Sequence, residues 1–286
     1  MTAFALTLVL LSAVTHASWN LIAKRASGGP TFNWLFDCLS VAVCLPLAIG
    51  QVVLQPTPVG PVELLFVVGS GVLHTAYFLL LGRGYRVGDL SLVYPLARGL
   101  GPMLSTAAAV LFLGEHPTGL ALAGALLIGV GVFVLAGDPR RLRASQAGQS
   151  VVFALLTGVV IAGYTLWDKQ AVGAVHMPPI LYFYLFTVVR ALLLTVYALP
   201  RLHIAREEWR LHKSHALGIA LLSPISYILV LYALAVSPVS YVAPAREIGI
   251  LLGAIMGARW LSESDVQRRM AGAVAMVLGV VALAVG

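Results

Sequence analysis

Long apolar runs, separated by short polar connections, fill this chain almost from end to end. Crossing the roughly 30 Å hydrocarbon layer of a bilayer takes about 20 apolar residues in a helix. Ten segments meet that measure: 3–23, 33–54, 62–82, 91–113, 118–137, 151–168, 179–200, 216–236, 241–261 and 268–285. The pattern predicts an all-α polytopic membrane protein with ten transmembrane helices. So little chain lies outside these runs that no soluble catalytic domain fits. The first run lacks a basic leader and carries His16, Trp19 and Asn20 where a signal peptide would still be apolar, so it reads as a span.

The runs are duplicated. Ala97-Arg98-Gly99-Leu100-Gly101, followed by Glu115, recurs 148 residues later as Ala245-Arg246-Glu247-Ile248-Gly249, followed by Glu263. Trp19-Asn20-Leu21 with Lys24 is answered, near that spacing, by Tyr164-Thr165-Leu166 with Lys169. The clearest polar linker, Asp138 to Gly148, leaves five runs on each side. The division is therefore residues 1–137, a linker over 138–149, and residues 150–286. An odd number of crossings turns the second half over, so the halves form inverted repeats, the architecture of carriers with a site between two halves. Ala121, Ala125 and Gly129 recur as Ala271, Ala275 and Gly279, a small residue at every fourth position. Such a face brings helices close in lipid, either inside the bundle or across a homodimer.

Composition sharpens this picture. Apolar residues make up 60% and charged residues 10% of the 286, with mean hydropathy +0.95. An ordinary soluble domain carries about 25% charged residues. The net charge of +7 does not indicate nucleic-acid binding, because the basic residues gather in the connections after runs 1, 3, 5, 7 and 9. Lys24, Arg25, Arg83, Arg86, Arg140, Arg141, Arg143, Arg201, Arg206, Arg210 and Lys213 are among them. Short Lys/Arg-rich loops stay in the cytoplasm, which puts both termini on the periplasmic side of an inner membrane. Cys38 and Cys44, six apart in one run, form neither a metal motif nor a disulfide pair. No cofactor or metal signature is present, and neither are the serine elbow, zinc helix, phosphate loop or dinucleotide fingerprint of enzymes.

Charges inside spans are costly and are functional candidates by default. Arg98 lies about seven residues into its run, and Arg246 enters the corresponding run from the opposite face. Pro95 and Pro244 precede them, and a proline leaves one carbonyl without its donor, so each helix is expected to open there. Guanidinium binds carboxylate through paired hydrogen bonds. The alternative is an internal pair of either arginine with Glu247. Polar and aromatic residues share helix faces by spacing: His16, Trp19 and Asn20; His74 and Tyr77; Tyr94 and Arg98; Tyr164 and Trp167. That mixed lining suits a ligand with an apolar body and a polar end; an interfacial aromatic belt, the alternative for Trp and Tyr, accounts for Trp209 and Trp260 but fits mid-span His74 and Tyr77 poorly. Arg190, on a stripe with Tyr182 and Phe186, is read as a structural partner of Asp37. Glu115 and Glu263, at helix ends, are read as caps or hinges.

In His16-Ala17-Ser18-Trp19-Asn20, Asp168-Lys169, Leu113-Gly114-Glu115-His116-Pro117 and Leu261-Ser262-Glu263, the chain resembles the drug/metabolite transporter superfamily, specifically its ten-span EamA-type members. The resemblance covers the whole chain. It implies a helical bundle that moves small metabolites, often outward, without ATP, and it includes exporters of amino acids. The expectation is a secondary transporter of small amphipathic metabolites, neutral or aromatic amino acids first. Its substrate site is drawn from Trp19, Asn20, His74, Tyr77, Tyr94, Arg98, Tyr164, Trp167, Arg246 and Glu247. The alternatives are a carrier of phosphorylated or nucleotide-linked sugars, and a non-transporting membrane scaffold. Expected partners are an amino-acid-like small molecule, the lipid bilayer and, through the small-residue faces, a second copy.

Overall fold

A computed structural model describes residues 1–26, 29–87, 90–136, 147–252 and 266–286. It is an all-α bundle: α1 (Ala3–Ala26), α2 (Pro30–Leu54), α3 (Pro61–Val87), α4 (Leu90–Phe112), α5 (Gly119–Ala136), α6 (Ala147–Gly173), α7 (Pro179–Ala198), α8 (Leu202–Val236), α9 (Val239–Ala245) and α10 (Val266–Val285). Five helical stretches are long and apolar enough to cross a bilayer on their own, the last of them taking in both α7 and α8. Leu96–Phe112, Gly119–Val134 and Met270–Val285 are shorter apolar helices. Large apolar side chains such as Leu54, Phe112 and Val196 stand exposed on the outside, as a lipid-facing surface requires.

The pairings have a regular order. α5 packs along α10, α1 along α8, α3 along α6, and α2 along α7; α4 touches α6 and α9. Replacing each helix by the one five places away exchanges α1–α8 with α3–α6, and α2–α8 with α3–α7. The pairs α2–α7, α4–α9 and α5–α10 map onto themselves.

The small-residue face lies within the molecule. A Cβ on Gly124 would come 2.6 Å from the Gly279 carbonyl oxygen, and one on Gly279 equally close to that of Gly124. Only glycine lets the two backbones approach so closely. The register differs from the expected one. Ala271 is exposed, and Gly272 and Met276 face Gly131 instead.

Two spans depart from the sequence expectation. Residues 202–215 were expected as a connection, but they continue as helix into α8, with non-helical angles at His212 (φ −127°, ψ 23°). The stretch contains no Gly or Pro to stop it. The ninth run is broken: α9 ends at Ala245, Arg246 and Glu247 form a turn, and helix resumes at Ile248. Through the turn the bonds tighten to three-residue spacing, with Glu247 N–H donating to the Pro244 carbonyl at 3.0 Å and Ile250 N–H to that of Glu247 at 2.9 Å. The opening expected beside Pro244 is thus present. The one expected beside Pro95 is absent, because α4 runs unbroken from Leu90 to Phe112. Glu115 caps the start of α9, its carboxylate oxygens accepting from Val239 N–H at 2.7 Å and Ser240 N–H at 2.8 Å. Glu263 lies outside the described residues.

Candidate functional site

Six helices and the α9 break surround a cavity of about 40 Å³. That is room for a few waters. Pockets that hold small organic ligands measure about 300–1,000 Å³, so the site is contracted. Its walls are aromatic. His74 of α3 is stacked between Tyr164 (4.2 Å between ring centres) and Phe186 (4.9 Å), and meets the edge of Tyr227 at 5.0 Å. Tyr77 stands edge-on to Tyr164, and Trp19 edge-on to His16. Ser226 lines the cavity and ties α8 to α1, its Oγ donating to the Ser12 carbonyl at 3.2 Å.

Behind this wall Asp168 of α6 is fully buried and saturated with donors. Ser70 and Tyr182 hydroxyls each donate to Oδ1 at 2.7 Å. His74 Nε2 lies 3.2 Å from Oδ2, which also accepts from the Tyr227 hydroxyl. Four such partners compensate the burial of the carboxylate. Asp168 therefore fixes the orientation of two cavity side chains, His74 and Tyr227.

Three arginines line the cavity, each differently held. Arg190 grips the buried Asp37 with two nitrogens, Nε donating to Oδ2 at 2.7 Å, so the expected pair is formed, yet the side chain also borders the cavity. Arg98 contacts His16 Nε2 and approaches Glu247, with 3.5 Å from Nε to Oε2. Arg246 lies over the face of Tyr227, 5.4 Å from its ring centre, and forms no ion pair among the described residues. Sequence spacing made Glu247 the natural partner of its neighbour Arg246. The turn at 246–247 instead sends the two side chains apart, and Glu247 reaches across to α4.

Of the residues expected in the site, Trp19, His74, Tyr77, Arg98, Tyr164 and Arg246 meet at the cavity. Glu247 stands behind Arg98. Asn20 is turned onto its own helix, its amide donating to the His16 carbonyl at 2.8 Å. Trp167 is also outside the lining: its indole N–H donates to the Phe66 carbonyl at 2.9 Å and its ring fills the space left by Gly69. The side chain of Tyr94 lies outside the described residues. Sequence reasoning missed Tyr227 and the bracing role of Asp168. The signal for Asp168 was available, an acid within an apolar run. Tyr227 follows Pro224 and Ser226, a polar interruption of another run.

An all-α bundle with apolar outer faces and a charged, aromatic cavity at its centre defines a multi-pass membrane protein built to handle a small molecule. Residues 3–137 match the EamA-like transporter family, whose members are transporters and not enzymes. No curated protein matches the chain. A solved crystal structure superposes on it with a TM-score of 0.74 at 14% identity, covering 98% of this chain and 96% of the other. At that identity the likeness speaks for the fold alone. The match over 3–137 points to a membrane transporter of small molecules.

Proposed function

We propose that this protein is a secondary transporter that exports small amphipathic metabolites, neutral or aromatic amino acids first, across the cell inner membrane. It does so by alternating access between two inverted five-helix repeats, with ten crossings in all. The exchange of helix pairings between the halves supports the repeat reading, and the contracted cavity supports a site that must widen to bind.

Arg246 carries the substrate reading. It is a cavity cation that lies over an aromatic face and forms no ion pair among the described residues, so a substrate carboxylate can take it without first breaking one. The wider charge balance points the same way. Three arginines at the cavity face three buried acids, Asp37, Asp168 and Glu247. A zwitterion leaves that balance unchanged. A phosphate ester would add uncompensated negative charge, and an unpaired buried charge costs several kcal/mol. The rings of Tyr77, Tyr164 and Phe183 suit the apolar body and can face an ammonium group.

Counterflow into liposomes tests this, using labelled phenylalanine, leucine and a hexose phosphate. Phenylalanine or leucine should exchange and the hexose phosphate should not. Arg246→Lys keeps the charge but loses the paired geometry. It should weaken apparent affinity about 10- to 150-fold, the equivalent of about 1.5–3 kcal/mol. Exchange of the sugar phosphate alone would transfer the site to the rival substrate class, and no exchange of any probe would favour the scaffold reading.

A further inference from the structure

The three buried acids are not equally secured. Asp168 accepts four hydrogen bonds, and Asp37 is gripped by two nitrogens of Arg190. Glu247 is only 3% exposed, yet its Oε2 accepts no hydrogen bond and meets Arg98 Nε at the long distance of 3.5 Å. A buried carboxylate is stabilised by the donors it holds, so the one with the poorest set is the one whose protonation costs least. It also sits in the α9 turn, next to Arg246, on the only span interrupted at the cavity among the described residues.

We propose that Glu247 is the proton-coupling group of this transporter. In the empty protein its carboxylate meets Arg98 from behind the cavity, and a substrate carboxylate would meet the same guanidinium from the cavity side. The inference rests on the carboxylate-bearing substrate proposed above and deepens it. When substrate arrives between Arg246 and Arg98, its carboxylate competes with Glu247 for both of the cations that act on it. Left ionised, Glu247 would be a buried charge sharing its cations with a second anion, so it takes up a proton as the substrate binds. Atoms and charges balance: one carboxylate enters, and one proton adds to a Glu247 oxygen. The groups that act on it are Arg98 from α4, its neighbour Arg246 and Tyr164 from α6, while His16 from α1 lies against Arg98. Tyr227 reaches in from α8, while α5 and the described side chains of α10 bring no titratable group. Asp168 already holds four hydrogen bonds. His16, and His74 across the cavity, are the other groups that could take the proton, but an imidazole gives no carboxyl band, which lets the measurement separate them.

Proton and carboxylate then cross together, so net export runs only when the outward substrate gradient exceeds the inward proton gradient. The test is infrared difference spectroscopy on the purified protein in liposomes, titrated from mildly alkaline to mildly acidic conditions. A protonated-carboxyl stretch should appear, persist in Asp168→Asn and His16→Gln, and be lost in Glu247→Gln. Adding phenylalanine should move its midpoint to higher pH. Phenylalanine affinity should in turn rise up to about tenfold per pH unit of acidification, the slope for one proton per substrate. The proposal is overturned if no carboxyl band depends on Glu247, or if the band disappears in His16→Gln instead. It is also overturned if phenylalanine exchanges in counterflow while the midpoint stays fixed. A Glu247 band that titrates in a protein exchanging no amino acid keeps the proton site and removes the amino-acid reading.

Discussion

Asp168 shows how much a single side chain organises here. Its two oxygens collect donors from α3, α7 and α8, so one acid in α6 sets the relation of four helices and the aim of His74 and Tyr227. Asp168→Asn would replace one acceptor with an amide that donates into a ring of donors. A buried polar group left without its partner costs about 1–3 kcal/mol. The variant should therefore unfold at a lower temperature in detergent and yield less folded protein, and an unchanged unfolding midpoint would show that the network is not structural. The site was half legible from sequence for a physical reason. Spacing of three and four residues states which side chains share a helix face, and this grouped His74 with Tyr77. It says nothing about how that face is rotated in the bundle, so Asn20 and Trp167 were grouped with the cavity although both turn to backbone carbonyls beside it. Glu247 was known to have an arginine beside it in sequence; only the turn of α9 decides that Arg98 takes it.

At the scale of elements, the helices follow directly from hydrophobic length, which is why the predicted and observed bounds of α2, α4, α5 and α7 nearly coincide. What hydrophobicity does not encode is where a polar amphipathic segment joins a span, as in α8, or where a proline breaks a helix and where it does not. Pro244 ends α9 with Glu115 capping the other end of that short helix, whereas Pro95 is absorbed within α4. The small-residue pattern was legible, but its partner was not, since a self-complementary stripe fits a second copy as well as another helix of the same chain. The α5–α10 contact occupies it internally at Gly124 and Gly279. Gly124→Leu should therefore destabilise the monomer itself, by the roughly 1–3 kcal/mol typical of overpacking. The expected readout is a lower unfolding temperature with no change in oligomeric state by light scattering. A dimer converted to monomer at unchanged unfolding temperature would put the seam between copies.

The molecule as a whole is asymmetric in charge. Arg83 and Arg86 close α3, and Arg201, Arg206, Arg210 and Lys213 stand at the α7–α8 connection and the first turns of α8. The connection from α5 to α6 adds Arg140, Arg141 and Arg143. In an alternating bundle these connections belong to one face, because each is separated from the next by two crossings. Moving basic loops across the membrane is disfavoured, so we propose that this face is the cytoplasmic one. The opposite face then carries both ends of the chain and the start of α9 that Glu115 caps. The proton-coupled cycle depends on this orientation, since it fixes from which side Glu247 is loaded when the broken span opens. A cysteine placed at Ser145, in a background without Cys38 and Cys44, should resist a membrane-impermeant maleimide added to intact cells and react after permeabilisation. A cysteine appended after Gly286 should react in both conditions. Labelling of Ser145→Cys in sealed cells would invert the molecule, and with it the direction in which the substrate and proton gradients drive it.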